Sequence, residues 1–586
     1  MLKGPQGVNL GRNVVGGAVT IVTQDPLPYR EATASLLLGN YDHRQLQFTL
    51  NEPIQNGDAA VRLSGLFNDR DGLSENTFVG ADQDDEGLRS WRLQYQYNPR
   101  SDLLLNVAYH DSREQSSRYI SWAPDPNVPG SGALAFGGTV ADDPRELRHN
   151  FVPDQTVRKQ LLGVRFEQTF DDLVLSSATS FQRNALKLRA DIDGTDLNFS
   201  VNAPEESSRV FTQELRLRPA HNVGGFDWLA GVYLLHEEAE QVIDVTLPLV
   251  SARNRVDGAV DTDSWAVFGE ASYAFAERWE ITAGLRYSVD RRRLDLVERI
   301  EDPLGALGPP GTTVNTQQDS DRWESLMPEV SLVYSADAHT LFWAKVSEGQ
   351  KAGGFNTSAV QPGFDPETLL ATEVGLKKSF PSLSLYTEVA LFHYDYRDMQ
   401  LLTPPAGAPL GTFPQVINAA KSTIQGLDLV ARYRPVPPVG LNFGMTWLDA
   451  RFDEFVSQDP NRPGSDPNHA GGRLPNAPKV SLNLGADYTL PTEGGGQWTA
   501  GVDYRYQSEV YYNIYQDPAT RQGDYGLVNA SLVYRDPKRQ WSLQFYGNNL
   551  TDEAFWQGII RQDPLIGTLR NPGAPRTFGM RASVRF

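Results

Sequence analysis

Apolar and polar residues alternate with period two along much of this chain. In Ile281-Thr282-Ala283-Gly284-Leu285-Arg286-Tyr287-Ser288-Val289, one face carries Ile, Ala, Leu, Tyr and Val and the other carries Thr, Gly, Arg and Ser. That is the pattern of a strand with one apolar and one polar side. The same parity sets Trp91, Leu93, Tyr95 and Tyr97 against Arg92, Gln94 and Gln96. It aligns Val528, Ala530, Leu532 and Tyr534, and sets Trp541, Leu543 and Phe545 against Ser542, Gln544 and Tyr546. A soluble sandwich shows such alternation too. The aromatic residues argue for a membrane barrel: Trp91, Trp228, Trp279, Trp541, Tyr97, Tyr109 and Tyr433 fall near strand ends, as an interfacial belt requires.

The breaks between strands are of two kinds. Short Pro/Gly/Asp/Asn-rich connections fall near 51–59, 98–102, 170–172, 218–226, 275–279, 335–340, 379–383, 434–440, 490–497 and 535–540. Longer ones fall near 39–43, 69–87, 112–157, 185–208, 237–262, 291–325, 349–369, 397–422, 453–477, 508–524 and 550–574. Ten of the first kind and eleven of the second join 22 strands. An even count with short turns on one rim and long loops on the other is the outer-membrane pattern, and it leaves both chain ends on the short-turn, periplasmic side.

Composition changes the picture mainly by exclusion. No apolar run in the 586 residues approaches the roughly 18 that a spanning helix needs. The mean hydropathy of -0.42 is compatible with spanning strands of about 9–11 residues, because each is half polar. A net charge of -20 disfavours nucleic acid as the partner. Zero cysteines exclude thiol catalysis, disulfides and cysteine-ligated zinc, and there is no Gly-x-Ser-x-Gly elbow. His43, His110, His149, His221, His236, His339, His393 and His469 show no metal-ligand spacing. Asp82-Gln83-Asp84-Asp85-Glu86 lacks the glycine and distal glutamate of an EF-hand loop and reads as a solvated loop. Gly4, Gly7, Gly11, Gly16 and Gly17 permit tight turns, but no helix-forming run and no Gly-Lys-Ser/Thr follows, so they are no phosphate cradle. No catalytic, cofactor-binding or metal residue is assigned, and the chain is read as a non-enzyme without a cofactor.

Leu2-Lys3-Gly4-Pro5-Gln6-Gly7, Leu10-Gly11-Arg12-Asn13 and Gly16 to Thr23 resemble the last part of the plug domain of TonB-dependent outer-membrane receptors, just before the first barrel strand. Ser347 to Asn356, Thr372 to Lys377, Asn418-Ala419-Ala420, Ile424 to Asp428, Gly547 to Asp552 and Pro572 to Arg576 are similar to family signatures, in family order. The resemblance implies an all-β fold: a 22-stranded antiparallel transmembrane β-barrel over 29–586 with the C-terminal remnant of a plug over 1–28. It implies active uptake of a scarce bulky solute through the outer membrane of a Gram-negative bacterium, driven by the TonB complex. A ferric siderophore is the first choice of solute, on family frequency alone. A passive porin and a non-transporting surface-binding barrel stay open as alternatives. No export signal, TonB box or first part of the plug is seen, and the resemblance places about 100 such residues upstream, a domain's worth.

Site residues follow from the same resemblance. An Arg in the family's plug turn pairs with two barrel glutamates, and the matching positions are Lys3, Glu373 and Asp428. Parity turns both carboxylates to the lumen. Lysine lacks the bidentate fork and Asp is a methylene shorter than Glu, so the latch is expected to be weaker or water-bridged, if these are not simply solvated lumen charges. Phe578, Met580, Ala582, Val584 and Phe586 share a face. A terminal Phe586 resembles the signal read by the barrel-assembly machinery, against the plainer reading of a last strand. The loops at 112–157, 185–208, 291–325 and 453–477, with Tyr119, Trp122, Phe136 and Trp323, are expected to form the outer vestibule of a monomer in contact with outer-membrane lipid.

Overall fold

An antiparallel sheet whose outer face is apolar along its whole width has one way to leave no unpaired edge in lipid, which is to close. The computed structural model describes residues 2–11, 13–54, 57–117, 122–307, 309–403, 414–563 and 566–586, and its sheet does close. Glu31–Gly39 pairs with His43–Ile54 on one side and with the last strand, Thr577–Arg585, on the other. Phe586 completes the seam by exchanging backbone hydrogen bonds with Ala32. The barrel has 22 antiparallel strands. A two-residue strand, Val201–Asn202, is an added piece at one loop.

The turns on one rim are short. Asp171 takes φ 50° between Asp154–Phe170 and Leu173–Asp191, and two residues separate Ala252–Ala276 from Trp279–Asp302. All ten short connections expected from the sequence fall where strands turn on this rim. Leu93, Leu162, Phe181, Phe211, Leu285 and Val374 are exposed on the outer face. Two aromatic girdles bound this apolar band. At the short-turn rim Trp279 packs on Phe275 and Tyr334, and Tyr534 on Trp498 and Trp541. Toward the long-loop rim Trp91 packs on Tyr109 and Trp265 on Tyr287.

Three of the expected long connections are different objects. The one at 39–43 is a tight turn with Tyr41 and Asp42 at φ 56° and 46°. Those at 237–262 and 291–325 are mostly strand: Phe226–Leu247, Ala252–Ala276, Trp279–Asp302 and Gly311–Asp337 run for 22 to 27 residues, far beyond a bilayer. They continue because one face stays apolar. Ile243, Val245, Val256, Leu294 and Leu296 are buried together under Ile192 and Phe355. The opposite, charged face, with Arg291, Arg293 and Asp295, disguises this alternation as loop composition. A second buried cluster packs Leu474, Ile514 and Tyr515 of the long connections on Leu401, Ala450, Phe452 and Phe455 at the ends of the strands Leu385–Thr403 and Val439–Phe455.

Candidate ligand vestibule and lumen contact

The N-terminal residues lie inside the barrel. Leu2–Lys3 pairs with Gly17–Ala18, and a single helical turn, Gly7–Leu10, connects them. This small unit seats against the lumen wall: Val8 is buried on Gly284, Gly7 on Met327 and Pro5 on Gly349. Gly4 holds φ +66° beside the Glu373 carboxylate, so a β-carbon added there would meet both backbone strain and a collision with that carboxylate. Asn13 Oδ1 accepts the Ala352 backbone N–H at 3.1 Å.

The charges around this unit are divided between the two carboxylates. Lys3 Nζ donates to Asp428 Oδ2 at 2.6 Å, and Thr446 Oγ1 donates to the other oxygen at 2.5 Å. Glu373 Oε1 accepts the Tyr394 hydroxyl at 2.5 Å, and Lys3 forms its ion pair with Asp428. Lys345, one strand away, pairs with Glu329 at 3.0 Å and reaches the Pro5 carbonyl at 3.5 Å. Register explains this cluster: Lys345 lies opposite Glu373, and Glu373 opposite Phe392, two residues before Tyr394. Tyr394, Lys345, Glu329 and Thr446 were missed by sequence reasoning. Lumen parity on each strand marks them as inward, but only the register brings them together.

Above this level the segment after Thr340–Lys351 folds inward. Gly354 and Phe364 exchange both backbone hydrogen bonds. Side-chain amides stitch the segment to the wall. Asn356 donates to Pro362 and Val416 carbonyls and accepts the Val416 N–H. Asn418 joins Asp365 to Asp398, and Gln400 donates to the Ala352 and Asp365 carbonyls. Asn549 does the same near the C-terminus, bonding Glu553 and Ala574. The Asn-bearing signatures are thus structural clamps. Phe355 packs on Trp323, and the Arg292 guanidinium lies 6.0 Å from the Trp323 ring. Trp323 itself is on a strand, Gly311–Asp337, and not in a loop.

The long loops interlock. Arg570 pairs with Asp125 at 2.5 Å, Arg145 with Asp552 at 3.0 Å, and Arg561 with Asp517 and Asp563 at 2.7 and 2.6 Å. The Tyr515 hydroxyl meets Thr403 Oγ1 at 2.5 Å. His149 is fully buried, with Nε2 at 2.7 Å from the Trp122 carbonyl and Nδ1 lacking a partner. Burial holds its pKa down at about 4, so it is neutral with the proton on Nε2. Asp191, beyond the girdle at the end of its strand, is pushed up to about 8 by burial and by neighbouring Asp193. Phe136 is exposed beside Phe199, and Tyr119 lies outside the described residues. In the acidic stretch, Asp84 is buried and Asp85 accepts the Ser117 N–H, so it is a structured turn rather than a solvated loop. Among the described residues no acidic or histidine group has the geometry of a metal site.

The TonB dependent receptor-like β-barrel family matches residues 25–550. The chain belongs to the TonB-dependent receptors. It is 23% identical to the pesticin receptor of Yersinia pestis over 606 residues, covering 100% of this chain and 80% of the relative. It is 22% identical to the catecholate siderophore receptor Fiu of Escherichia coli K12 over 654 residues, with the same coverage. Its fold is similar to that of the ferric yersiniabactin uptake receptor FyuA from Yersinia pestis, with a TM-score of 0.82, 17% identity and coverage of 100% and 84%. The siderophore receptor PiuA from Acinetobacter baumannii aligns with a TM-score of 0.79 at 13% identity, covering 100% and 85%. All four of these relatives are receptors by name, and FyuA is an uptake receptor.

Proposed function

We propose that this TonB-dependent receptor takes up a ferric siderophore, with its long-loop rim outside the cell, both termini in the periplasm and TonB supplying the force. The supporting observation is the N-terminal unit seated across the lumen wall by Val8, Pro5 and the Lys3–Asp428 pair. A passive pore has no use for a strapped-in lumen segment. A coupled transporter has, because a pull on that segment is transmitted to the ligand above it. The named relatives bind pesticin or handle siderophore chelates, and Arg292 beside Trp323 and Phe355 offers the cation and ring faces that suit an anionic, ring-bearing chelate. Residues 1–28 act in this reading as the end of the plug, Lys3, Asp428 and Glu373 as its contact with the barrel, and the working unit is a monomer.

Uptake of radio-iron from a panel of chelates, by cells carrying the protein with and without TonB, tests the reading. Accumulation of one chelate that disappears without TonB is the expected result. Solute entry that persists without TonB would make the protein a passive channel, and loop-mediated binding with no entry would make it a surface-binding barrel.

A further inference from the structure

Above the girdle the sheet has an open edge. The strand Gly311–Asp337 pairs with Trp279–Asp302 from Gly311, opposite Asp302, to Tyr334, opposite Trp279, in unbroken register. Its other neighbour, Thr340–Lys351, meets it only from Glu329, opposite Ser347, downward. Over residues 312–328 the second edge of the strand has no backbone partner among the described residues. The chain that would have covered it turns into the lumen after Lys351, where Phe355 packs on Trp323. The ladder sets Glu324 level with Trp265, through Val289, and Leu326 level with Tyr287. Residues 312–323 therefore stand clear of the lipid, an edge of about 40 Å at the rise of a strand.

An open edge of this length is a template for another strand, and natural proteins blunt theirs with lysine, proline, bulges or shortness. Residues 312–323 carry none of these devices. Thr312-Thr313-Val314-Asn315-Thr316-Gln317-Gln318 is uncharged and more than half β-branched, which suits a strand. The backbone itself shows the missing neighbour. The Ser320 and Arg322 N–H groups donate to Oδ1 of Asp319 and Asp321 at 2.9 and 2.7 Å. Without a strand to bond, these donors have taken the side chain before them, which puts the even-numbered N–H groups of this stretch on the open edge. Asp319 and Asp321 are both exposed, and by parity they share the lumen-facing side of the strand with Trp323. Charge of one sign on one face is the only guard.

We propose that the edge at 312–323 is a docking site for an extended segment of a soluble polypeptide outside the cell, which joins the sheet as a further antiparallel strand. Main-chain hydrogen bonds hold the guest, and its side chains select it. Basic residues at alternate positions of the guest meet Asp319 and Asp321, and β-branched residues on its other face meet Val314 and Thr316. A second copy of this chain is the poorer guest. Receptors standing upright in one membrane run this strand in the same direction, so two such edges meet only in parallel, the weaker pairing. The proposal rests on the outward orientation of the long-loop rim given above, and not on the identity of the transported solute.

The probe is a fluorescent peptide of alternating valine and threonine with lysines at the two positions that face Asp319 and Asp321, titrated by anisotropy into the full chain in mild detergent. Two further forms are N-methylated on one or the other alternate set of backbone amides. An added strand turns only one set toward its neighbour, so one form is expected to bind like the plain peptide and the other at least about tenfold more weakly. Equal affinities of the two forms, or no binding of the plain peptide at millimolar concentration, would overturn the proposal. Thr316→Pro removes an N–H from the open edge and none from the ladder with Trp279–Asp302, and is expected to weaken binding about tenfold. D319K/D321K is expected to lose about fivefold and to prefer a peptide with glutamates in place of the lysines. Unchanged binding by Thr316→Pro, or an unchanged preference in D319K/D321K, counts equally against it. If neither variant assembles, the two methylated forms decide on the wild type alone. The orientation is checked apart, with a membrane-impermeant maleimide on intact cells. Thr316→Cys on the edge is expected to label and Glu493→Cys in a short turn is not, so that a reversed barrel is distinguished from an edge that takes no guest.

Discussion

At the scale of single residues, the Lys3–Asp428 contact is short but half open to water. The Lys3 side chain is 56% exposed and that of Asp428 12%, so after screening the pair contributes about 1 kcal/mol or less. Asp428→Ala is therefore expected to loosen the N-terminal unit rather than expel it. In this cysteine-free chain a Gln6→Cys reporter should react with a maleimide up to about fivefold faster when Asp428 is removed. An unchanged rate would mean that the apolar seats of Val8 and Pro5 hold the unit alone. His149 gives a second residue-scale expectation. Its pKa falls from the ordinary 6.5 to about 4 in the folded loops. Stability from its neutral form is fully present above 6.5 and is lost as pH falls toward 4, by up to about 3 kcal/mol. Asp191, raised in pKa, acts with the opposite sign, so the informative quantity is a difference. The gap in protease resistance between wild type and His149→Phe is expected to shrink between pH 6.5 and 4, and a pH-independent gap would refute it. Glu373 and Asp428 were legible as inward charges from parity, and Lys3 as their partner only from the resemblance to a plug turn. Their division of labour was not, because it depends on Tyr394 and Thr446 arriving from neighbouring strands.

At the scale of elements, the turns were the most legible feature, since Pro, Gly, Asp and Asn mark the short rim directly. The strand extensions were not. Leu294 and Leu296 keep the alternation going, but Arg291, Arg293, Asp295 and Arg299 around them give the segment the composition of a loop. What keeps it a strand is the apolar cluster that covers one face, with Phe355 delivered from a segment more than fifty residues away. Leu294 is completely buried there. Leu294→Ala is expected to cost the projecting wall about 2–5 kcal/mol, seen as faster hydrogen exchange over 291–302 and 311–325 with unchanged exchange over 279–289. Uniform acceleration along the whole strand would show that wall and barrel unfold together instead.

At the scale of the whole molecule, closure is the controlling fact. The last strand pairs with the first only when the other twenty are in place, so the seam is the natural site of control over assembly. Phe586 is 82% exposed on the outer face and holds Ala32 through its backbone alone. Its ring contributes little to the finished barrel. Phe586→Ala is therefore expected to lower the amount of protein reaching the outer membrane while leaving the heat-modifiable mobility of the assembled fraction unchanged. Normal yield would remove the assembly role. The sequence by itself determined the class, the strand number and the rim on which each turn lies. These follow from period-two alternation and turn chemistry, which are local and written residue by residue. Only the tertiary structure decided which lumen charges meet, how the asparagine signatures clamp the inward segment, how far the wall rises above the girdle and where it is left with an open edge. Each of these depends on inter-strand register and on contacts between distant segments, and in a closed sheet neither can be read from any one strand.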